Sequence, residues 1–196
     1  MKVFSRRSVA AILACMICGA TAGAASYYWD IAGTTAGSGG ATPSGTWDGV
    51  NTFWNTDSAG GAGTLEANPT TGDALTLSAG SDATGSYTIT LNGTRNAASL
   101  TVEDGTPTLT GGTLNLGAAA TVTVNSGLNS GIDSIIAGAG TSLTKSGAGI
   151  LTLGGANTFT GAQTFGANTN FPGSGIWNTS GNVGIGTASP GSRLEV

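Results

Sequence analysis

The sequence predicts an all-β fold: a short parallel β-helix, or β-solenoid, with an aromatic-rich N-terminal cap and an irregular C-terminal segment. Three observations predict it. Charged residues make up only 8% of the 196, and there are 35 glycines; such a mixture favours extended chain and tight turns over helix. Large apolar residues recur in short apolar-x-apolar runs, at Leu75/Leu77, Ile89/Leu91, Leu100/Val102, Leu114/Leu116, Val122/Val124 and Leu151/Leu153. That period of two is the mark of strands buried on one face, with Thr, Ser and Asn on the other. Glycine turns separate the runs, as in Glu103-Asp104-Gly105, Gly111-Gly112 and Gly154-Gly155, and no helical stretch intervenes.

Strands this short are not stable alone. A sandwich or a solenoid would bury them, and the irregular turn lengths with high Gly, Thr and Asn content favour the solenoid. Its coils would stack about 4.8 Å apart. Each buried Leu or Ile would contribute about 2 kcal/mol, so a thin core needs several coils to add up.

Residues 1–24 are expected to be a signal peptide rather than part of the fold. Lys2, Arg6 and Arg7 precede an apolar run from Val9 to Ala20, and Ala22-Gly23-Ala24 is an A-x-A cleavage site. The run is short for a membrane span, and Ser5-Arg6-Arg7 also permits twin-arginine export. Cys15 and Cys18 both fall in this leader, so cleavage after Ala24 would leave no thiol. It would also remove three of six basic residues, leaving Arg95, Lys145 and Arg193 against ten acids, a net charge of −7. An acidic exported chain is expected to avoid nucleic acid and, once cleaved, to make no stable membrane insertion.

Residues 25–72 are the aromatic-rich cap. Tyr27, Tyr28, Trp29, Trp47, Phe53 and Trp54 lie here in short runs ended by Asp, Asn or Gly, which reads as strand and turn. The cap would shield the otherwise open sheet edges. Trp29, Trp47 and Trp54 are also the candidates for stacking on a carbohydrate ligand, because exposed aromatics among polar neighbours serve that purpose. Residues 73–167 are the solenoid.

Chemistry is narrowed by what is missing. There is no histidine, so Ser-His-Asp, Cys-His and imidazole-zinc sites are excluded. Ser142-Leu-Thr-Lys145 spells the S-x-x-K of acyl-transfer enzymes, but that motif needs a helix to place i and i+3 together. In a strand the two side chains face apart. The Gly-Ala-Gly-Thr-Ser-Leu-Thr-Lys stretch lacks the glycine before Lys145 that a phosphate loop requires. Glycoside cleavage wants two carboxyls about 5 to 9.5 Å apart. Glu103 and Asp104 sit adjacent in a turn, where solvent is their expected partner, and Asp73, Asp82 and Asp133 are isolated in sequence. No calcium loop is present. The expectation is therefore no catalysis, no cofactor and no metal.

The run from Ile136 to Phe165 resembles the autotransporter-associated β-strand repeat, through Leu143, Thr144, Lys145, Gly147, Gly149, Leu151, Leu153, Gly155, Asn157, Thr158, Phe159, Thr160, Gly161 and Thr164. The resemblance implies an exported bacterial protein with a β-helical passenger. Residues 168–196 are similar to the segment that precedes the intramolecular chaperone domain of phage tail fibres, through Gly181, Val183, Gly184, Ile185, Gly186, Thr187, Ser189, Pro190, Leu194 and Val196. That second resemblance implies a homotrimer if a chaperone domain follows. The leading expectation is a secreted or surface-displayed structural solenoid, a stalk or passenger segment offering an adhesive surface to a cell-surface or carbohydrate ligand. A trimeric fibre shaft is the alternative, and a polysaccharide-acting β-helix enzyme the third.

Overall fold

A computed structural model describes residues 24–138 and 142–155, together with two short strands at 183–184 and 194–195. The expected leader (1–24), apart from Ala24, and nearly all of the tail-fibre-like segment (168–196) lie outside the described residues. Packing divides the chain into two units, Met1–Thr158 and Phe159–Val196. In the second, β16 (Val183–Gly184) and β17 (Leu194–Glu195) pair in parallel.

Among the described residues of the first unit there is no helix, and fifteen strands follow one another: β1 (Ser26–Trp29), β2 (Gly45–Trp47), β3 (Trp54–Asn55), β4 (Leu65–Glu66), β5 (Ala74–Thr76), β6 (Ser86–Leu91), β7 (Thr94–Ala97), β8 (Ser99–Val102), β9 (Thr106–Thr110), β10 (Thr113–Leu116), β11 (Ala119–Val124), β12 (Asn129–Ile132), β13 (Ile135–Gly138), β14 (Ser142–Ser146) and β15 (Ile150–Leu153). They form three sheets, ordered β14-β11-β8-β5-β1-β3-β4, β15-β12-β9-β6-β2 and β13-β10-β7. The chain visits the three in turn, so β5-β6-β7, β8-β9-β10 and β11-β12-β13 are complete coils, and β14-β15 begin the next. Every coil-to-coil pairing is parallel. This is the solenoid that the alternating runs predict.

Register explains the core. In the first sheet Tyr27, Leu75, Leu100 and Val122 stack in one inward column. In the second, Ile89, Leu109, Ile132 and Leu153 do so; in the third, Leu114 and Ile136. Most of these side chains are almost wholly buried and form one cluster with Leu77, Leu91, Val102, Leu116 and Val124. A slip of one residue would turn each column out to water, so the apolar alternation fixes the register.

The aromatic stretch does two jobs. Strands β1 and β2 lie in parallel register on β5 and β6, so they are already solenoid. Strand β3 then runs antiparallel to β1 and to β4, with Trp29 opposite Trp54. The reversal ends the parallel stack at its N-terminal side, and the tryptophans fill the space beneath.

Turns within a coil lie close enough to the preceding coil to demand glycine. Gly105 has a φ of 63°, and a Cβ there would lie 2.5 Å from the Ala83 carbonyl oxygen and 2.8 Å from that of Gly85. Left-handed backbone costs an L-residue about 1–2 kcal/mol before any clash. Gly105→Ala is therefore expected to destabilise the fold by at least that much, read as a lower urea midpoint at unchanged slope. An unchanged midpoint would mean that the turn relaxes freely away from the preceding coil.

Candidate interaction surface

The outward positions of the same strands carry the surface. Tyr28, Thr76, Thr101, Thr123 and Ser146 form one line across the first sheet. On the second sheet Thr88, Thr108, Gly131 and Thr152 form another, beside Thr46, Thr90 and Thr110. The third sheet presents Thr94, Thr113 and Ile135, and beside them Asn96, Asn115 and Ala137. The Asn115 amide donates to Asn96 Oδ1 at 2.8 Å, so two coils are tied through side chains as well as backbone. With coils about 4.8 Å apart, hydroxyls recur along the rod as uncharged donors and acceptors. Such a surface can hydrogen-bond a polar partner.

The tryptophans expected as carbohydrate-stacking residues are elsewhere. Trp29, Trp47 and Trp54 are 0%, 1% and 0% exposed. Trp54 packs edge-on against Trp29 and Trp47, with ring centroids 5.2 and 4.8 Å away, and Phe53 packs on Trp29 at 5.4 Å. A sugar needs an open ring face, and these faces are covered by one another and by the core. The physical reason is the strand alternation that turns Trp29 and Trp47 inward, with Trp54 opposite Trp29.

The carboxylates hold loops. Asp82 accepts the backbone N–H groups of Ser38 and Gly40, both at 2.7 Å, fastening the 33–45 glycine loop to the connection between β5 and β6. Asp73 accepts from Thr70 N at 2.7 Å and Thr70 Oγ1 at 2.8 Å. Asp30, fully buried, accepts from Asn55 Nδ2 at 2.8 Å and Ala32 N at 2.7 Å. The Glu103-Asp104 pair is at a turn as expected, but Glu103 is half-buried rather than bathed in solvent. Asp133 stands in the turn between β12 and β13. No group of three or more His, Cys, Asp or Glu side chains able to hold a metal ion occurs among the described residues.

Protonation follows from these contacts. Burial pushes the Asp73 and Asp82 carboxyls up, but the hydrogen bonds they accept outweigh it, and both end below the usual range. The exposed Asp48 is lowered by the backbone N–H groups of Asn51 and Val50. Glu103 is raised, by burial first and by Asp104 second. A lowered acid stabilises the fold above its unfolded pKa and loses that contribution as pH falls through its folded one. A raised acid does the reverse: it favours the fold at low pH, and that help is lost as pH rises through the folded value. Among the described residues three lowered carboxyls oppose one raised one, so stability should decline below the ordinary carboxylate range. Thermal unfolding followed from neutral to acid pH checks this. In Asp82→Asn the acid slope should be shallower; an equal slope would show that Asp82 titrates normally.

Ser142 and Lys145 are placed as strand geometry requires. Both lie in β14, Ser142 opposite Ala119 and Lys145 opposite Val122, and so they face away from each other. Lys145 occupies the inward register of the first sheet yet stays exposed. Its ammonium donates to the carbonyls of Ser146 at 3.1 Å and Gly147 at 2.7 Å. Arg95 is its counterpart in the third sheet, in register with Leu114 and bonded to Asn92 O and Asn68 Oδ1. The alternating pattern could have revealed both, since each falls at an apolar position of its run. An inward charge of this kind discourages further strand pairing at an unprotected place.

Stacked parallel coils around one apolar core, with hydroxyl-rich outward columns, define a β-solenoid. The chain is 37% identical over 159 residues to the Adhesin BmaC autotransporter of Brucella suis biovar 1 (strain 1330), a match that covers 81% of this chain and 4% of that protein. It thus resembles an autotransporter-type β-helical passenger in both sequence and fold, while spanning only a small fraction of that relative's length. No family model and no solved structure matches it.

Proposed function

We propose that this chain is part of a surface-displayed adhesive passenger, a rigid segment that holds a polar contact surface outside the cell. The observation that carries the reading is the coincidence of a parallel solenoid, whose outward columns are mostly threonine, serine and asparagine, with the similarity to an autotransporter adhesin. The mechanism is geometric. Parallel pairing fixes each hydroxyl relative to the next, so a partner meets a surface whose side chains are already ordered and loses less entropy on contact. Adhesion by many weak hydrogen bonds then gains from multivalency. Asp30, Asp73 and Asp82 are used in the scaffold, and Ser142 and Lys145 face apart, which favours a non-enzymatic role.

The test is to display the full chain on a non-adherent bacterium through a heterologous surface anchor and count cells retained under flow on glass, on polystyrene and on an epithelial monolayer. Retention above the anchor alone on at least one surface is expected. It should fall when Thr101 and Thr123 are both changed to Lys, which leaves the core columns untouched. Retention equal to the anchor alone on all three would overturn adhesion and leave the chain as a spacer.

A further inference from the structure

A nearly buried carboxylate lies where the expected leader would be cut. Asp73 is 7% exposed. One oxygen, Oδ2, is satisfied by Thr70. The other, Oδ1, accepts the backbone N–H of Ala25 at 2.9 Å. The two basic residues of the described part are engaged elsewhere: Arg95 with Asn92 and Asn68, and Lys145 with carbonyls of its own turn. Among the described residues Asp73 thus has hydrogen-bond donors but no cation. Those hydrogen bonds already hold the anionic form, and a cation at the same place would add to them.

The nitrogen it holds is a particular one. Ala22-Gly23-Ala24 is the small-residue cleavage sequence, and Ala25 is the residue that follows it. Ala25 is already built into the first coil. Its carbonyl accepts the N–H of Ala74 at 2.8 Å, and β1 starts at the next residue. Ala24 is exposed, so its own removal takes no buried side chain from the core.

We infer that Asp73 is a receptor for the α-ammonium created when the leader is removed after Ala24, so that processing completes the first coil of the solenoid. The covalent step is hydrolysis by a leader peptidase selective for small side chains. Water adds across the Ala24–Ala25 amide, the Ala24 carbonyl becomes a carboxylate, and the Ala25 nitrogen leaves as an amine that is protonated at neutral pH. Nothing is oxidised or reduced. The amide donor at Asp73 Oδ1 becomes an ammonium donor, so a bond that already has an ionised acceptor gains a countercharge as well. Asp73 also ties this event to the next coil. Its backbone carbonyl accepts the N–H of Ala98 at 2.7 Å, just before β8. Tyr27 and Glu66 are the neighbouring titratable groups that interact with this corner; neither is a cation that could replace the ammonium.

The test has two parts. The full-length chain is produced in an exporting host, and the secreted product is sequenced from its N-terminus. The expected first residue is Ala25, and any other start overturns the proposal. The processed chain is then compared with the same chain carrying one extra N-terminal glycine, in the parent and in Asp73→Asn. The free Ala25 amine should lower the unfolding equilibrium constant by up to about fivefold relative to the extended chain, the range for an ion pair near the surface. That advantage should vanish in Asp73→Asn. An equal advantage in both backgrounds would overturn the pairing.

Should Asp73→Asn not fold, the α-amine itself gives the answer in the parent protein. A paired ammonium titrates above the ordinary range of about 7.7–8.0, so its acylation is slowed at neutral pH. An ordinary titration would overturn the proposal. The sign is fixed by linkage: stabilisation by the raised amine is complete below its unfolded pKa and is lost as pH rises through its folded one.

Discussion

Trp54→Ala is expected to cost about 3–5 kcal/mol, the range for deleting a large buried aromatic. Trp54 is fully buried and stands between Trp29 and Trp47. Its removal would empty the space under the antiparallel pair that ends the stack, and neither neighbour can move in without leaving its own strand register. Trp54→Phe should be far milder. The Trp54 Nε1–H is buried without an acceptor among the described residues, so phenylalanine gives up no hydrogen bond there and removes an unsatisfied donor. Trp29 differs, because its Nε1 donates to Pro43 O at 2.7 Å, and Trp29→Phe should lose that bond. Urea unfolding followed by far-UV circular dichroism compares the three. A cost below about 1 kcal/mol for Trp54→Ala would be too small for a packed ring and would show that the aromatic cluster does not close the solenoid.

The second large effect is expected in mid-rod. Leu109→Ala should destabilise by about 2–5 kcal/mol. Leu109 is fully buried, with Ile89 below and Ile132 above in its column. A solenoid has a core only one coil wide, so no second layer can collapse into the gap. Each coil touches only its neighbours, and stability is therefore a chain of local terms. The loss should appear first as faster amide exchange in β8–β10 and the coils on either side. The aromatic end should be affected less. Uniform loss across all strands would contradict this nearest-neighbour picture and argue for a single cooperative unit.

The inward positions were legible because apolar alternation has one meaning in a chain without helical periodicity. Leu75, Ile89, Leu100, Leu114, Val122 and Leu153 all point inward as their runs require. The coil length was harder to read. Arg95 to Leu114 spans 19 residues and Leu75 to Leu100 spans 25. The excess in the second step comes mainly from the loop between β5 and β6. Turns of variable length hide the repeat, because register is set at the strands and the turns need only close. The tryptophans show the opposite limit. Aromatic residues among Asp, Asn and Gly look the same whether they fill a cap or await a sugar, and only their neighbours in space distinguish the two.

The carboxylates make the same point. Asp73 and Asp82 stand alone in sequence, and their partners are backbone N–H groups at Ala25, Ser38 and Gly40. A backbone donor carries no side-chain signal, so no motif could announce it. By itself the sequence determined the all-β class, the inward face of most strands and the incompatibility of Ser142 and Lys145 with a shared active site, because these depend on local alternation and residue type. Tertiary structure alone decided which strands stack on which, that the aromatic stretch is both first coil and closing pair, and that Asp73 meets Ala25. Those contacts join residues 19 to 48 positions apart, and their geometry exists only once the parallel coils have set the spacing.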